Sequence, residues 1–212
     1  MAAKTTLNAK NLESLGVQRL AELLVEISMG SAAHKRRLRM ELAGNHGSAE
    51  VAREVRKRLA SIARARTIIN WRKVKALKSD LERQRKTITE TVAADDPQEA
   101  FELIWQFLAL ANSIFERTKE SSGSVIQSFH QACEDAAAIA ASAKIDSNVL
   151  AEKVFKAVQD DGYGQYDNLI AAMAPALGGD VLAGLGGGED AGVQHQHVDA
   201  AEAFDGRALP WS

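Results

Sequence analysis

Apolar residues recur at intervals of three and four along the first part of the chain, which is the spacing of one face of an α-helix. In the first such segment, over about 9–28, leucine and isoleucine hold the repeating positions: Leu12, Leu15, Leu20, Leu23, Leu24 and Ile27. Segments with the same period follow at about 32–43, 48–69 and 71–92. The pattern therefore predicts four amphipathic helices before residue 93, separated by short joints.

The second half of the chain opens with the clearest helix start in the sequence. Asp96 is a suitable N-cap, Pro97 fits the first helical position, and Glu99 stands three residues beyond the cap. The helix that follows, to about residue 119, has apolar residues around most of its circumference, so we expect it at the centre of the core. Further helices are predicted over about 122–143, from 146 or 147 to the sequence DDGYG, and over 166–174.

Eight helices with short joints indicate an all-α fold of stacked antiparallel αα-hairpins, either α-solenoid-like or a compact helical bundle. We expect this helical domain to cover residues 7–177. The segment 178–212 differs in character, because it holds eight of the fifteen glycines and no sustained apolar stripe. We expect it to be a disordered Gly-rich tail.

Several stretches, taken together and in this order, resemble a known family: LESLGVQRLAELLVEI, KRRLRMELAG, EVAREVRKRLASIARART, WRKVKAL, FLALANSIFER, SSGSVIQSFHQACED and DGYGQYDNLIAAMAPALG. They are similar to an uncharacterised bacterial family of helical proteins, classed as a domain of unknown function. The resemblance covers about residues 5–178 and implies an all-helical fold, without an activity or catalytic residues to carry over. Members of that family continue in helices beyond this point, so the Gly-rich segment departs from the pattern.

The composition fits a cytoplasmic protein. A chain of 212 residues can bury a full core without cross-links, and its one cysteine, Cys133, rules out an intramolecular disulfide. The N-terminal sequence has no apolar core of a signal peptide, and no later stretch approaches the roughly 18 apolar residues of a membrane span. We therefore expect no membrane partner.

The charge is nearly balanced overall but unevenly distributed. Residues 34–86 contain 17 basic and 5 acidic residues, a net charge of +12, whereas the rest of the chain has a net charge of −14. Such an excess indicates either a polyanionic partner or internal pairing. On helical wheels, the basic side chains opposite the apolar stripes form a candidate nucleic-acid surface: Arg53, Lys57, Arg64, Arg72, Lys75, Arg83 and Lys86. The alternative is pairing with acids of neighbouring helices such as Glu99, Glu102, Glu134 and Asp135.

Two short motifs carry groups that could do chemistry. HQACED places His130, Cys133 and Glu134 within one helical turn, but a structural zinc site needs four ligands and there is no second cysteine, so packing is the favoured interpretation of Cys133. DGYGQYD, residues 161–167, lacks the lysine and the strand-to-helix context of a phosphate loop. We interpret it as a structural joint, with Gly162 in the left-handed conformation and Asp167 as the next N-cap.

No catalytic, cofactor-binding or metal-binding residue can be nominated, because the sequence has no local signature such as a nucleophile elbow. An enzyme is therefore the less favoured class. We expect a cytoplasmic helical binding or scaffold module for a protein or peptide partner. The alternative is a sequence-independent nucleic-acid binder that uses the basic helices of residues 34–86.

Overall fold

The computed structural model describes residues 5–118 and 123–178, and helices make up nearly all of the regular structure in this part of the chain. The helices are α1 Ala9–Glu13, α2 Val17–Met29, α3 Ala32–Gly44, α4 Ser48–Arg64, α5 Trp71–Lys86, α6 Ala93–Asp95, α7 Pro97–Leu108, α8 Ala111–Arg117, α9 Ile126–Ala143, α10 Ser147–Gln159 and α11 Leu169–Leu177. A π-helical segment, Thr87–Val92, joins α5 to α6 without a break. The predicted all-α class is confirmed.

Polar side chains at the helix starts fix where several helices begin. Five of them accept a hydrogen bond from a backbone N–H in the first turn of the following helix: Asn8, Ser31, Asn70, Asp96 and Asp146. The start predicted from Asp96 and Pro97 is confirmed, since the Asp96 carboxylate accepts from the Glu99 N–H at 3.0 Å. Each such cap satisfies a donor that the helix leaves unpaired and contributes about 1 kcal/mol.

The core is built around α7 and α9, which pack against each other along much of their length. Phe107 of α7 and Phe129 of α9 are fully buried, with ring centroids 5.4 Å apart. α4 and the π-helical segment pack against α7, while α11 packs against α9 and is itself covered by α10. The central position predicted for the helix that begins at Pro97 is therefore confirmed.

The N-terminal helices stand apart from this core. α3 packs against α4, and α2 packs against α3, but Ser28 is the one buried residue of α2. The apolar stripe of the first segment is consequently exposed along much of its length. The single helix predicted over 9–28 is also interrupted after Glu13, where Gly16 adopts φ +80° before α2 begins. This left-handed conformation suits glycine because it has no Cβ.

Two helices end earlier than the sequence predicts, in both cases because distant residues take up their backbone groups. α4 stops at Arg64, not at 69: the Arg117 guanidinium donates to the carbonyl of Ile62, and the Ile69 N–H donates to the Arg117 carbonyl at 2.7 Å. Likewise, the helix predicted over 97–119 breaks after α7, where the Tyr166 hydroxyl donates to the Leu108 carbonyl at 2.8 Å.

Only one of the two predicted segments, the helical domain, lies mostly within the described part of the chain. The predicted helical domain, 7–177, corresponds to helices that run from α1 to α11. Of the predicted tail, 178–212, all but the first residue lies outside the described residues. Within residues 5–118 and 123–178, no helix is long and apolar enough to cross a lipid bilayer.

Candidate functional site

A concave pocket with a volume of about 300 Å³ lies between α3, α4 and α5, and we call it the basic pocket. Most of its walls are charged: Lys35, Arg36, Arg37 and Arg39 of α3, Glu54, Lys57 and Arg58 of α4, and Asp80 and Arg83 of α5. Ala32, Met40, Ser61 and Gln84 complete the lining. Seven basic and two acidic side chains give the pocket a net charge of +5.

Amphipathic periodicity brings these side chains together. The apolar stripe of α4, which includes Val55 and Leu59, is buried against the core, so the intervening Lys57 and Arg58 face away from the core centre. In α5, Leu81 is buried in the same way, and Arg83 and Gln84 reach the pocket. α3 then closes the open side with its run of basic residues.

The two acids of the basic pocket each neutralise one cation. The half-buried Arg58 donates through Nε to Asp80 Oδ2 at 2.7 Å and also through a second nitrogen, so this pair ties α4 to α5. Lys57 Nζ lies 2.6 Å from Glu54 Oε1 within α4. Burial, and after it the charge of Arg58, lowers the pKa of Arg36, while Asp80 acts in the opposite direction. Among the neighbouring charges, that of Arg58 thus acts on the pKa of Arg36 more strongly than that of Asp80.

The seven side chains predicted as a nucleic-acid surface do not form one site. Lys57 and Arg83 line the basic pocket, whereas the other five lie on exposed parts of α4 and α5 outside it: Arg53, Arg64, Arg72, Lys75 and Lys86. Arg53 pairs with Glu50 of its own helix, and the Arg72 guanidinium lies 5.1 Å from the ring of Trp71. The residues of α3 were missing from the predicted set, although the sequence HKRRLR gave a signal for them.

Some basic residues pair with acids on neighbouring helices. Arg56 of α4 lies 2.5 Å from Glu99. Glu102 was also predicted to pair with a basic helix of residues 34–86, but it lies 3.7 Å from Lys153 of α10 instead. Arg85 of α5 bridges Glu82 of the same helix and Asp135 of α9. This last pairing is partly buried, and burial raises the pKa of Asp135 while Arg85 lowers it.

The acid Glu134, also predicted to pair with a basic helix, does not do so among the described residues. Its carboxylate accepts instead from the Gln131 side chain at 2.8 Å. Both residues lie on exposed positions of α9. Internal pairing thus accounts for part of the basic excess, while most of the α3 cations remain outside it.

A second concave surface, with a volume of about 400 Å³, lies between α2 and α3, and we call it the apolar groove. Its walls come from both helices: Leu24, Ile27 and Ser28 of α2, and His34, Arg37, Leu38 and Glu41 of α3. Ile27 is 63% exposed and Leu24 is 50% exposed. Because α2 has few neighbours, nothing among the described residues covers this apolar face.

The DGYGQYD motif forms a structural joint between α10 and α11. The Asp161 carboxylate accepts from four successive backbone N–H groups: those of Tyr163, Gly164, Gln165 and Tyr166. The left-handed glycine is Gly164, with φ +73°, and not the predicted Gly162. The residue before α11 is Asn168, so the predicted N-cap at Asp167 is also wrong. The hydrogen bonds to Asp161 hold residues 163–166 in a tight turn that precedes α11.

Cys133 and His130 are engaged by the same joint. Cys133 is fully buried, with its sulfur 3.8 Å from the Gln165 carbonyl oxygen. Burial above all, and then the charges of Asp161 and Glu134, raise the pKa of the Cys133 thiol to about 12. His130 Nε2 lies 2.9 Å from the Gly164 carbonyl oxygen. The two side chains therefore serve packing, and within the described residues no group of three potential ligands could hold a metal ion.

Comparison with known protein families places the chain in one of them. The model of a protein family described as a family of unknown function (DUF6880) matches residues 2–204. The match extends at both ends beyond the resemblance seen over 5–178, and it includes most of the Gly-rich segment. No curated protein and no solved structure matches the chain.

Proposed function

The chain belongs to DUF6880, a family of unknown function, and we propose that it is a binding module for another protein. The observation that carries this proposal is the exposed apolar groove between α2 and α3. Burial of exposed apolar surface favours association, by roughly 25 cal/mol per Å² before the entropic costs of binding are subtracted. A contiguous apolar surface of this kind on a helix is typical of an interaction site. The cysteine-poor composition fits the cytoplasm as the place where the module acts.

The occupant that fits the apolar groove is an amphipathic helix of the partner. Two adjacent helices offer a trough in which the apolar face of a third helix can lie. At the rim, Arg37 and Glu41 stand four residues apart on α3, so their opposite charges are about one helical turn apart. A partner helix with an acidic and a basic residue at the same separation would complement both charges.

A second copy of the chain fits less well. In a symmetric antiparallel pairing of α2 with itself, each edge of the helix meets the same edge of the copy. The exposed side of α2 carries Glu22 and Glu26 beside Val25 and Met29. Those carboxylates would face their own copies, and such like-charge contacts disfavour the pairing.

Site-specific cross-linking tests the proposal. A photoreactive amino acid placed at Ile27 should capture a different polypeptide in cells, and Leu24→Asp should abolish the capture because it puts a charge on the groove wall. The matched control carries the same probe at Trp71, which is 73% exposed on α5, far along the chain from the groove. Equal capture at both positions, or capture of second copies alone, would contradict the proposal.

A nucleic-acid role is the second candidate, favoured by cations that have no carboxylate partner. Arg64 and Lys75 are exposed, and neither forms an ion pair with another described residue. Duplex DNA or RNA should then bind with an affinity that falls about tenfold or more between 50 and 200 mM salt, because counterions are released on binding. Charge reversal of Lys57, Arg64 and Lys75 together should abolish this binding and leave capture at Ile27 intact.

A further inference from the structure

The basic pocket has a concentration of positive charge that the described part of the chain does not neutralise. Of its seven cations, Lys57 and Arg58 pair with the two acids of the pocket. The other five form no ion pair with a described residue: Lys35, Arg36, Arg37, Arg39 and Arg83. Like charges that line the same pocket repel one another, so a bound anion would relieve that repulsion.

The pocket is preorganised on two of its three sides. The double hydrogen bond between Arg58 and Asp80 joins α4 to α5 and fixes the position of that guanidinium. Ser61 Oγ lies 3.3 Å from the same guanidinium and holds it from the other side. A cation held in place before the ligand arrives loses less conformational freedom on binding.

The floor of the basic pocket contains a polar group without a partner. Gln84 is 4% exposed, and its Oε1 atom accepts no hydrogen bond from the described residues. A buried polar atom without a hydrogen-bond partner lowers the stability of the folded state by about 1–3 kcal/mol. The Gln84 amide can turn its NH₂ group to an anion or its oxygen to a ligand hydroxyl. The pocket floor is thus suited to a polar ligand and not to an apolar one.

Size and lining restrict the class of ligand. A volume of about 300 Å³ lies at the lower end of the range for small-molecule sites. None of the lining residues is aromatic, so the pocket offers no ring on which a nucleobase could stack. A guanidinium group can donate two parallel hydrogen bonds to two oxygens of one phosphate, and a phosphate group carries a high negative charge in a small volume.

From these observations we propose that the basic pocket binds a compact ligand that carries several phosphate groups. Arg36 and Arg83, on facing walls, hold the phosphate oxygens, and Arg58 anchors them from the fixed side. The basic pocket adjoins the apolar groove and shares Arg37 with it, but its ligand site does not depend on the protein-binding role proposed above.

Calorimetric titration of the full chain with inorganic triphosphate, in buffer free of divalent cations, tests this inference. We expect saturable binding of one triphosphate per chain, with sulfate much weaker. Arg36→Gln with Arg83→Gln should weaken it by at least about a hundredfold, since each charge-assisted contact accounts for roughly tenfold or more. The matched control, Arg64→Gln with Arg72→Gln, removes the same charge from exposed residues that do not line the pocket. It should change the affinity by less than about threefold, because solvent and salt screen exposed charges.

A second variant separates loss of the site from loss of the fold. Ser61→Glu keeps every cation, is compatible with a helix, and places a carboxylate in the pocket, so it should also block triphosphate. Absence of saturable binding, or equal weakening by the pocket and control pairs, would overturn the proposal. It would equally be overturned if a DNA duplex or a polyglutamate peptide bound through the pocket residues while triphosphate did not.

Discussion

The joint between α10 and α11 yields a stability prediction whose size follows from its hydrogen bonds. Asp161→Ala removes the carboxylate that accepts from four backbone N–H groups. One of these donors, the Tyr163 N–H, also reaches Gln165 Oε1 at 3.0 Å and keeps a partner. The other three lose the acceptor that holds them. At about 1 kcal/mol for each net hydrogen bond, the variant should lose about 3 kcal/mol of unfolding free energy.

Two further variants make the measurement specific. Asp161→Asn keeps one acceptor oxygen for the three bonds to Oδ1 but loses the bond from the Tyr166 N–H, so it should cost about 1 kcal/mol. Asp160→Ala removes the adjacent exposed carboxylate, which accepts none of these bonds, and should stay within about 0.5 kcal/mol of the parent chain.

Thermal unfolding followed by circular dichroism provides the assay. For a domain of this size, 1 kcal/mol corresponds to roughly 2–4 °C, so Asp161→Ala should lower Tm by about 6–12 °C. Hydrogen exchange should also rise in α11, since the joint positions Leu169 and Met173 in the core. A Tm change below about 2 °C, or an equal loss in Asp160→Ala, would refute the structural interpretation of the motif.

Three other predictions follow from the same structure. Gly164→Ala should lower Tm, because the residue has φ +73° and an added Cβ would lie 2.9 Å from a carboxylate oxygen, whereas Gly30→Ala, with no atom within 4 Å, should not. Arg85→Met should cost about 1–3 kcal/mol at pH 7. Loss of this guanidinium raises the pKa of Asp135 further. The difference in unfolding free energy between the parent chain and the variant should therefore grow as the pH rises from below about 4 to above the pKa of Asp135 in the folded variant, and urea titrations across that range would show this. Cys133, whose pKa is raised to about 12, should resist a disulfide reagent at pH 8 until the protein unfolds; rapid modification of the native protein would contradict its burial.

The helix starts show how much local sequence information can predict. The caps at Asp96 and Asp146 bond to backbone groups within three residues, so their geometry depends on little beyond the local sequence. The central position of α7 was predictable for a related reason, because a helix that is apolar on most sides must be buried on most sides. Both features depend only on residues within or next to a single helix.

The candidate sites were less predictable, because they depend on which helices become neighbours. The wheels of α4 and α5 correctly placed Arg64 and Lys75 on exposed faces. They could not show that α3 lies across the gap between α4 and α5, and that arrangement makes a pocket of separate basic segments. Likewise, the stripe on α2 predicts a buried face, yet among the described residues α2 packs mainly against α3, with a smaller contact to α1.

By itself, the sequence determined the all-α class, the caps that start helices, and the excess of positive charge in residues 34–86. The tertiary structure decided where helices end, since the bonds that stop α4 and α7 come from Arg117 and Tyr166, 55 and 58 residues away. It also decided which charges are neutralised. Asp80 and Asp135 each pair with an arginine of another helix, while most cations of α3 form no ion pair with a described acidic residue. The physical reason is that periodicity reports the face that a helix presents, whereas pairing requires the distance between helices.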